Sequence, residues 1–384
     1  MKTPRRDSVL QLILHREVVL LLVLSMIAVP LFLFTLSMAA RNREMNLNAA
    51  TTWFERGQKQ LGDGQTAAAI SSFRKAATHD RDDPTYVLAL ATTLADSGQL
   101  EEAKQILLKL RISSPESGEV NLQLARVSQK QELTTEAIRY YHNALYGIWP
   151  TEQMVEQRRR IRTELIHVLL GAGDTEQSLS ELLILSSDIP DTETAHNEVG
   201  HLFFEAEDWR RALEQFERTL RMNKQNSEAL DGAGRAYFNL GDYRKASDYL
   251  NSAIASGAKD GETADLLDVS KSVLSRDPLA PRLLFEERTR RLAANFDAVS
   301  ETLQLCIAQV QDDGAAALQD LAMELDRDRK SRYTSRKLRA DSDEFRSALN
   351  LIYRAESSAA QICQESSPLS RALVIIAQRN GATE

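Results

Sequence analysis

Residues 227–260 read SEALDGAGRAYFNLGDYRKASDYLNSAIASGAKD. Leu230, Gly234 and Tyr237 recur at helical spacing and fall on one face of a first helix. Ala246, Leu250 and Ala253 do the same for a second helix. Gly234 and Ala246 are small where the two helices must approach, and Gly241 supplies the positive φ at which the first helix ends. The stretch predicts a helical hairpin.

Moving outward at a spacing of 34 residues, the same offsets return. Residues 50–83 carry Gly57, Gly64, Ala69 and Phe73, and residues 84–117 carry Ala91, Gly98, Ala103, Leu107 and Pro115. Residues 118–151 hold Ala125, Ala137, Tyr141 and Pro150, residues 159–192 hold Gly173, Ser178, Leu182 and Pro190, and residues 193–226 hold Gly200, Ala212 and Phe216. Each Pro stops a second helix and starts the connection onward. A seven-residue insertion, Glu152 to Arg158, is read as lengthening a helix. Two units depart from the pattern, with Glu207 in place of the turn Gly and Ile166 in place of a small residue. Looser interfaces are expected at both. A lone hairpin cannot bury its apolar face, so the units stack.

The pattern over residues 50–260 resembles the tetratricopeptide repeat family. The resemblance implies an all-α fold, a right-handed superhelix of about six hairpins whose concave groove binds protein or peptide segments. Positions 2, 5, 9, 12 and 13 of each first helix line such a groove in that family. Here they give Leu88, Thr92, Arg126, Asn197, His201, Glu205, Arg235 and Asn239 as groove candidates. Position 5 is never Lys in this chain, so the clamp with which some members grip chaperone C-termini is missing. The resemblance also makes residues 262–275 a capping helix, with Leu266, Leu267, Val269 and Val273 on its apolar side and a polar outer face.

The N-terminus differs sharply. Val18 to Ala40 is 23 residues without a charge, roughly 34 Å as a helix at 1.5 Å per residue, against a hydrocarbon core of about 30 Å. It reads as a transmembrane helix over 18–40 behind a tail over 1–17, with Pro30 tolerated inside the span. A cleaved signal peptide is the rival reading, although the apolar run is longer than a signal core. Basic residues flank both sides, Lys2, Arg5, Arg6 and Arg16 before the span and Arg41, Arg43, Arg56 and Lys59 after it. Positive charge weighs most in short flanks, which puts the tail in the cytoplasm and the bulk of the chain outside it, in the periplasm of a bacterium.

Residues 278–384 follow Asp277-Pro278 and Pro281 and resemble no family. Three helical stretches, around Leu292 to Ile307, Leu318 to Leu325 and Phe345 to Ile362, with a short piece over Leu369 to Ile376, predict a bundle of three or four helices broken at Asp312-Asp313-Gly314. Cys306 and Cys363 are either a disulfide, if this region lies outside the cytoplasm, or two buried thiols. A basic run from Arg327 to Arg339 reads as a solvated face rather than an anion site.

Chemistry-bearing motifs are missing from the sequence. There is no phosphate-cradling glycine loop, no serine elbow and no zinc-ligand spacing, so no catalytic residue, metal or cofactor is assigned. The net charge of −8 speaks against a nucleic-acid partner. The reading is a non-enzymatic, single-pass membrane-anchored scaffold for a protein or peptide, its oligomeric state left open. The alternative is an enzyme or regulator in the C-terminal bundle, localised by the repeats.

Overall fold

The computed structural model describes residues 6–81, 83–149, 154–310, 313–340, 343–363 and 367–380. Lys2 and Arg5 of the tail, Pro150, Glu152 of the insertion and Asp312 of the bundle break lie outside the described residues. All regular structure among the described residues is helical, in eighteen helices without a strand. The chain divides into two compact units, Met1–Ala172 and Gly173–Glu384.

In the first unit, α1 (Arg6–Gly62), α2 (Thr66–His79), α3 (Pro84–Asp96), α4 (Leu100–Ser113), α5 (Gly118–Lys130), α6 (Thr134–Leu145) and α7 (Met154–Gly171) pack each against the next. One difference from the sequence reading stands out. The apolar stretch and the first helix of the first repeat are a single helix of 57 residues with Pro30 inside it. The connecting residues 41–49 hold neither Gly nor Pro, so nothing ends the helix between them. Side chains of the apolar run, among them Leu22, Met26, Leu33 and Phe34, are exposed. Residues 154–158 lengthen α7 at its start.

The core of this unit alternates large and small side chains. Phe73, Leu94, Leu107, Leu124, Tyr141 and Leu165 are fully buried beside Ala69, Ala91, Ala103, Ala125 and Ala137. Two neighbouring turns are joined by backbone bonds: Ile148 N–H donates to Glu116 C=O at 2.7 Å and Gly118 N–H to Ile148 C=O at 3.0 Å. Trp149 donates its indole N–H to Ala144 C=O at 2.8 Å and covers Gly118, where a Cβ would lie 2.0 Å from the ring.

The second unit begins with α8 (Thr175–Asp188), α9 (Glu193–Glu205), α10 (Trp209–Met222), α11 (Ser227–Asn239) and α12 (Tyr243–Ala255). The residue 15 places into each repeat has positive φ throughout: 74–85° at Gly64, Gly98, Gly173 and Gly241, and 61° and 59° at Glu132 and Glu207. The i to i−5 backbone bond that closes such an end is kept at the non-glycine sites, Leu133 N–H to Ser128 C=O and Asp208 N–H to Phe203 C=O, both 2.9 Å. Glu207 therefore does not loosen its repeat as the sequence reading expects. Beside it Phe216 is clamped between Gly200 and Gly232, whose added Cβ atoms would lie 2.8 and 2.4 Å from the ring. Ile166, the other departure, is fully buried.

Helix α13 (Gly261–Arg276) corrects the capping-helix expectation. Its apolar residues serve two cores rather than one, with Leu267 about 120–160° around the helix from Val269 and Val273. Leu267 joins Tyr237, Ala246 and Leu250 of the last hairpin, whereas Val269 and Val273 belong to the core of the C-terminal bundle. The outer face is covered by α18 (Pro368–Arg379), with an ion pair between Asp265 and Arg371. The bundle itself holds α14 (Phe285–Gln309), α15 (Asp313–Ser331), the short α16 (Ser335–Ala340), α17 (Asp343–Cys363) and α18. Five helices thus stand where three or four are expected, because the turn after Ser331 sets off a six-residue helix. Cys306 of α14 and Cys363 of α17 are joined by a disulfide, their Cα atoms 5.8 Å apart.

Candidate functional site

The first helices carry the groove candidates, and their depth follows repeat position. In the first unit, α3 and α5 run side by side. Between them lies a cleft of about 570 Å³ lined by Thr92, Ala95, Asp96, Gln123, Arg126, Val127, Gln129 and Lys130. Thr92 and Arg126 are half-buried at position 9 of their repeats. Leu88, at position 5, is buried in the repeat core and offers nothing to a ligand.

Charge in this cleft is already matched. Arg126 donates through Nε and Nη2 to both oxygens of Glu164, at 2.9 and 2.6 Å. That paired bond raises the guanidinium pKa against the opposing effect of burial. Tyr141 donates its hydroxyl to Gln129 Oε1 at 2.7 Å, and burial next to Glu164 pushes its pKa upward. Lys130 reaches Asp96 Oδ1 at 2.9 Å across the cleft. The lining therefore presents fixed donors and acceptors to a ligand rather than a free charge.

In the second unit the corresponding face runs over α9, α11 and α13. Asn197 is buried, and its Nδ2 donates to Asn226 Oδ1 at 3.2 Å and Glu228 Oε2 at 2.9 Å. His201 Nε2 lies 3.0 Å from Glu228 Oε1, while Glu205 is exposed at the end of α9. Arg235 meets three carboxylates: Asp231 at 2.6 Å, Asp260 at 2.5 Å and Glu262 at 2.5 Å. Burial works against its charge, but the pull of Asp231, Glu262 and Asp260 together outweighs it and raises the pKa. Asp260 is held below the usual carboxylate range, by the Glu262 backbone N–H and by Arg235. Asn239 is exposed and donates to Arg235 C=O at 3.0 Å.

Position 5 of a first helix thus points into the neighbouring first helix, position 9 lines the groove and position 13 stands in solvent. Asn197 and Arg235 hold adjacent repeats together in addition to lining the face. A triple alanine change at Asn197, Arg235 and Asn239 would weaken that packing along with any ligand contact.

Sequence reasoning missed two features. His196 is buried, with Nδ1 2.8 Å from Gln215 Oε1 and Nε2 2.8 Å from Asp191 Oδ1; these residues border a second cleft of about 550 Å³. Glu356 on α17 is buried in the bundle and its pKa is raised by burial, partly offset by Ser370 and Thr302. A single Glu on an apolar stripe was the available signal for it. The basic run is paired as expected of a solvated face, with Arg332 on Glu344 at 3.0 Å, Lys330 on Asp326 at 2.6 Å and Arg329 on Asp297. Among the described residues no group of His, Cys, Asp or Glu is arranged to hold a metal.

Antiparallel hairpins of small-on-large helices with a left-handed residue at each turn define a helical-repeat scaffold. Models of the tetratricopeptide repeat match residues 60–126 and 198–261. These two stretches are thus tetratricopeptide repeats, which indicate a scaffold for protein–protein interaction. It is similar to DnaJ homolog subfamily C member 3 of Mus musculus, 22% identical, with 76% of this chain and 66% of that protein aligned. The chain thus spans just under two thirds of that relative's length. Among solved structures it is similar to YrrB, a TPR protein with an unusual peptide-binding site (20% identity, 50% of this chain, 95% of that one, TM-score 0.41). Pseudomonas aeruginosa pilF is another (17% identity, 57% of this chain, 97% of that one, TM-score 0.43).

Proposed function

We propose that the chain is a single-pass membrane scaffold without a reaction of its own, which holds an extended segment of a protein partner along its first helices. The cleft between α3 and α5 carries this reading: it is large enough for several side chains and offers Thr92, Gln123 and Gln129 as uncharged hydrogen-bonding groups. Such groups suit a peptide backbone better than any one side-chain sequence. The exposed apolar run of α1 supports retention in a membrane. The Cys306–Cys363 disulfide supports an oxidising compartment for the bulk of the chain, with a short cytoplasmic tail before the span.

The test places a photo-crosslinking amino acid in the full chain in cells, at Gln123 in the cleft or at Gln105 on the exposed side of α4. A protein adduct from Gln123 and none from Gln105 is expected. Equal yields from the two positions, or none from either, would remove the cleft as the binding surface.

A further inference from the structure

We infer that the edge of the repeats at which α1 enters is itself a lipid-contacting surface, lying in the headgroup layer of the membrane that α1 crosses. The inference rests on the anchor reading above.

Helix α1 passes from the apolar run into the first repeat without a break, so the repeats have no flexible tether. Successive helices of the unit alternate in direction. The end of α2 returns to the level of α1 where His79 Nδ1 lies 3.4 Å from Asn46 Oδ1, and α3 starts where Tyr86 meets Thr51 at 3.5 Å. The turns after α2, α4 and α6 therefore share the edge that faces the span, and the turns after α1, α3 and α5 share the opposite one.

Large exposed apolar side chains gather on the first edge. Ile112 is 84% exposed, Tyr146 73%, Ile148 68% and Val155 56%, and the backbone bonds between Ile148, Glu116 and Gly118 fix two of these turns side by side. Met45 and Leu47 on α1 are exposed as well, at the level where α1 leaves the apolar run. Among the described residues, the opposite edge has only Leu61 and Leu133 as large exposed apolar side chains at its turns, each 44% exposed. A water-facing surface has no reason to gather its large apolar side chains on one edge.

The heights agree. Asn46 lies six residues past Ala40, about 9 Å of helix. The headgroup layer on each side of the hydrocarbon core is about 5–8 Å thick. A tilt of about 20°, the average for spanning helices, lowers a turn roughly 25 Å to the side by about 9 Å, where 25 Å is some three interhelical spacings. That carries Ile148 to the hydrocarbon boundary. Tyr146 has the apolar body and polar tip that favour this layer. Charges on the edge are of mixed sign, with Arg41, Arg43 and Arg81 beside Glu44, Asp80, Asp83 and Glu116. Contact by apolar insertion follows, without a need for anionic lipid.

The test uses the full chain in phosphatidylcholine liposomes with a nitroxide on one introduced cysteine: Phe32→Cys in the apolar run, Ile148→Cys on the proposed edge or Leu133→Cys on the opposite edge. Collisions with lipid-soluble oxygen and a water-soluble nickel complex are compared. The expected oxygen-to-nickel ratio at Ile148 approaches that at Phe32 and is severalfold above that at Leu133, and it survives high salt. A lipid-like Phe32 with a water-like Ile148 overturns the edge contact and leaves the anchor standing. Exclusion of both reagents at Ile148 means that protein covers the edge, which also overturns it. A water-like Phe32 overturns the anchor and the edge contact together.

Discussion

The repeat hairpins and the C-terminal bundle are both helical, but they hold together over different distances along the chain. Hairpin contacts join residues twelve to about forty apart, such as Tyr141 with Gln129, Tyr237 with Glu217 or Arg126 with Glu164. The bundle is closed by Cys306 with Cys363 at a separation of 57, Asp265 with Arg371 at 106 and Asn380 with Asp277 at 103. A hairpin is thus specified by its own residues and its neighbours, whereas the bundle is specified only once distant stretches have met. The hairpins depend on close approach at small residues, and the bundle depends on closure.

Breaking the closure is expected to have the largest effect. Cys363→Ser removes a cross-link over 57 residues, worth about 4 kcal/mol in the chain-entropy account. Hydrogen exchange should show amides of α14 and α17 losing protection while those of α9 and α10 keep theirs. Equal loss in both places would make bundle and hairpins one cooperative unit and dissolve the contrast. A smaller effect is expected from breaking a close approach. Gly232→Ala drives a methyl into Phe216, whose ring is also in close contact with Gly200 and has little room to shift. Overpacking of this kind costs about 1–3 kcal/mol, read as a lowered urea midpoint. An unchanged midpoint would mean that the hairpins tolerate more space than their geometry suggests.

The smallest effect separates hairpins from each other. Asp174, Asp208 and Asp242 cap α8, α10 and α12, each accepting the backbone N–H three residues on. Gln65, Gln99 and Leu133 make no such bond at the starts of α2, α4 and α6. Asp208→Ala should lower stability, and Gln99→Asp should raise it, by about 1 kcal/mol each. Thermal melts of the two variants moving in the same direction would contradict this role for the caps.

Much of the repeat architecture was legible because each small or bulky residue returns every 34 positions. The caps at Asp174, Asp208 and Asp242 return at that interval too, a polar signal that the apolar periodicity does not carry. Glu132 and Glu207 show why the turn could not be read from Gly alone. The surrounding hairpin fixes the left-handed conformation even where the residue disfavours it. Of the groove candidates, Thr92 and Arg126 at position 9 border the cleft between α3 and α5, whereas those at position 5 are buried. Leu88 is buried in the repeat core and Asn197 is bonded to Asn226 and Glu228 at the start of α11, a consequence of how hairpins stack that one hairpin's periodicity does not reveal. For α13, Val269 and Val273 looked like part of one stripe with Leu267 because nothing nearby in sequence announces α18 as a second neighbour.

The two-sided α13 also has a consequence for synthesis. Its inner face can settle on α12 as soon as both have emerged, but its outer face must wait for α18, since Asp265 and Arg371 are 106 residues apart. At about 5–20 residues per second, Val269 and Val273 stay uncovered for roughly 5 to 20 seconds in every new chain. In that interval the finished hairpins end in an open apolar seam, a place where a nascent chain can be held by a chaperone or paired wrongly with its neighbour.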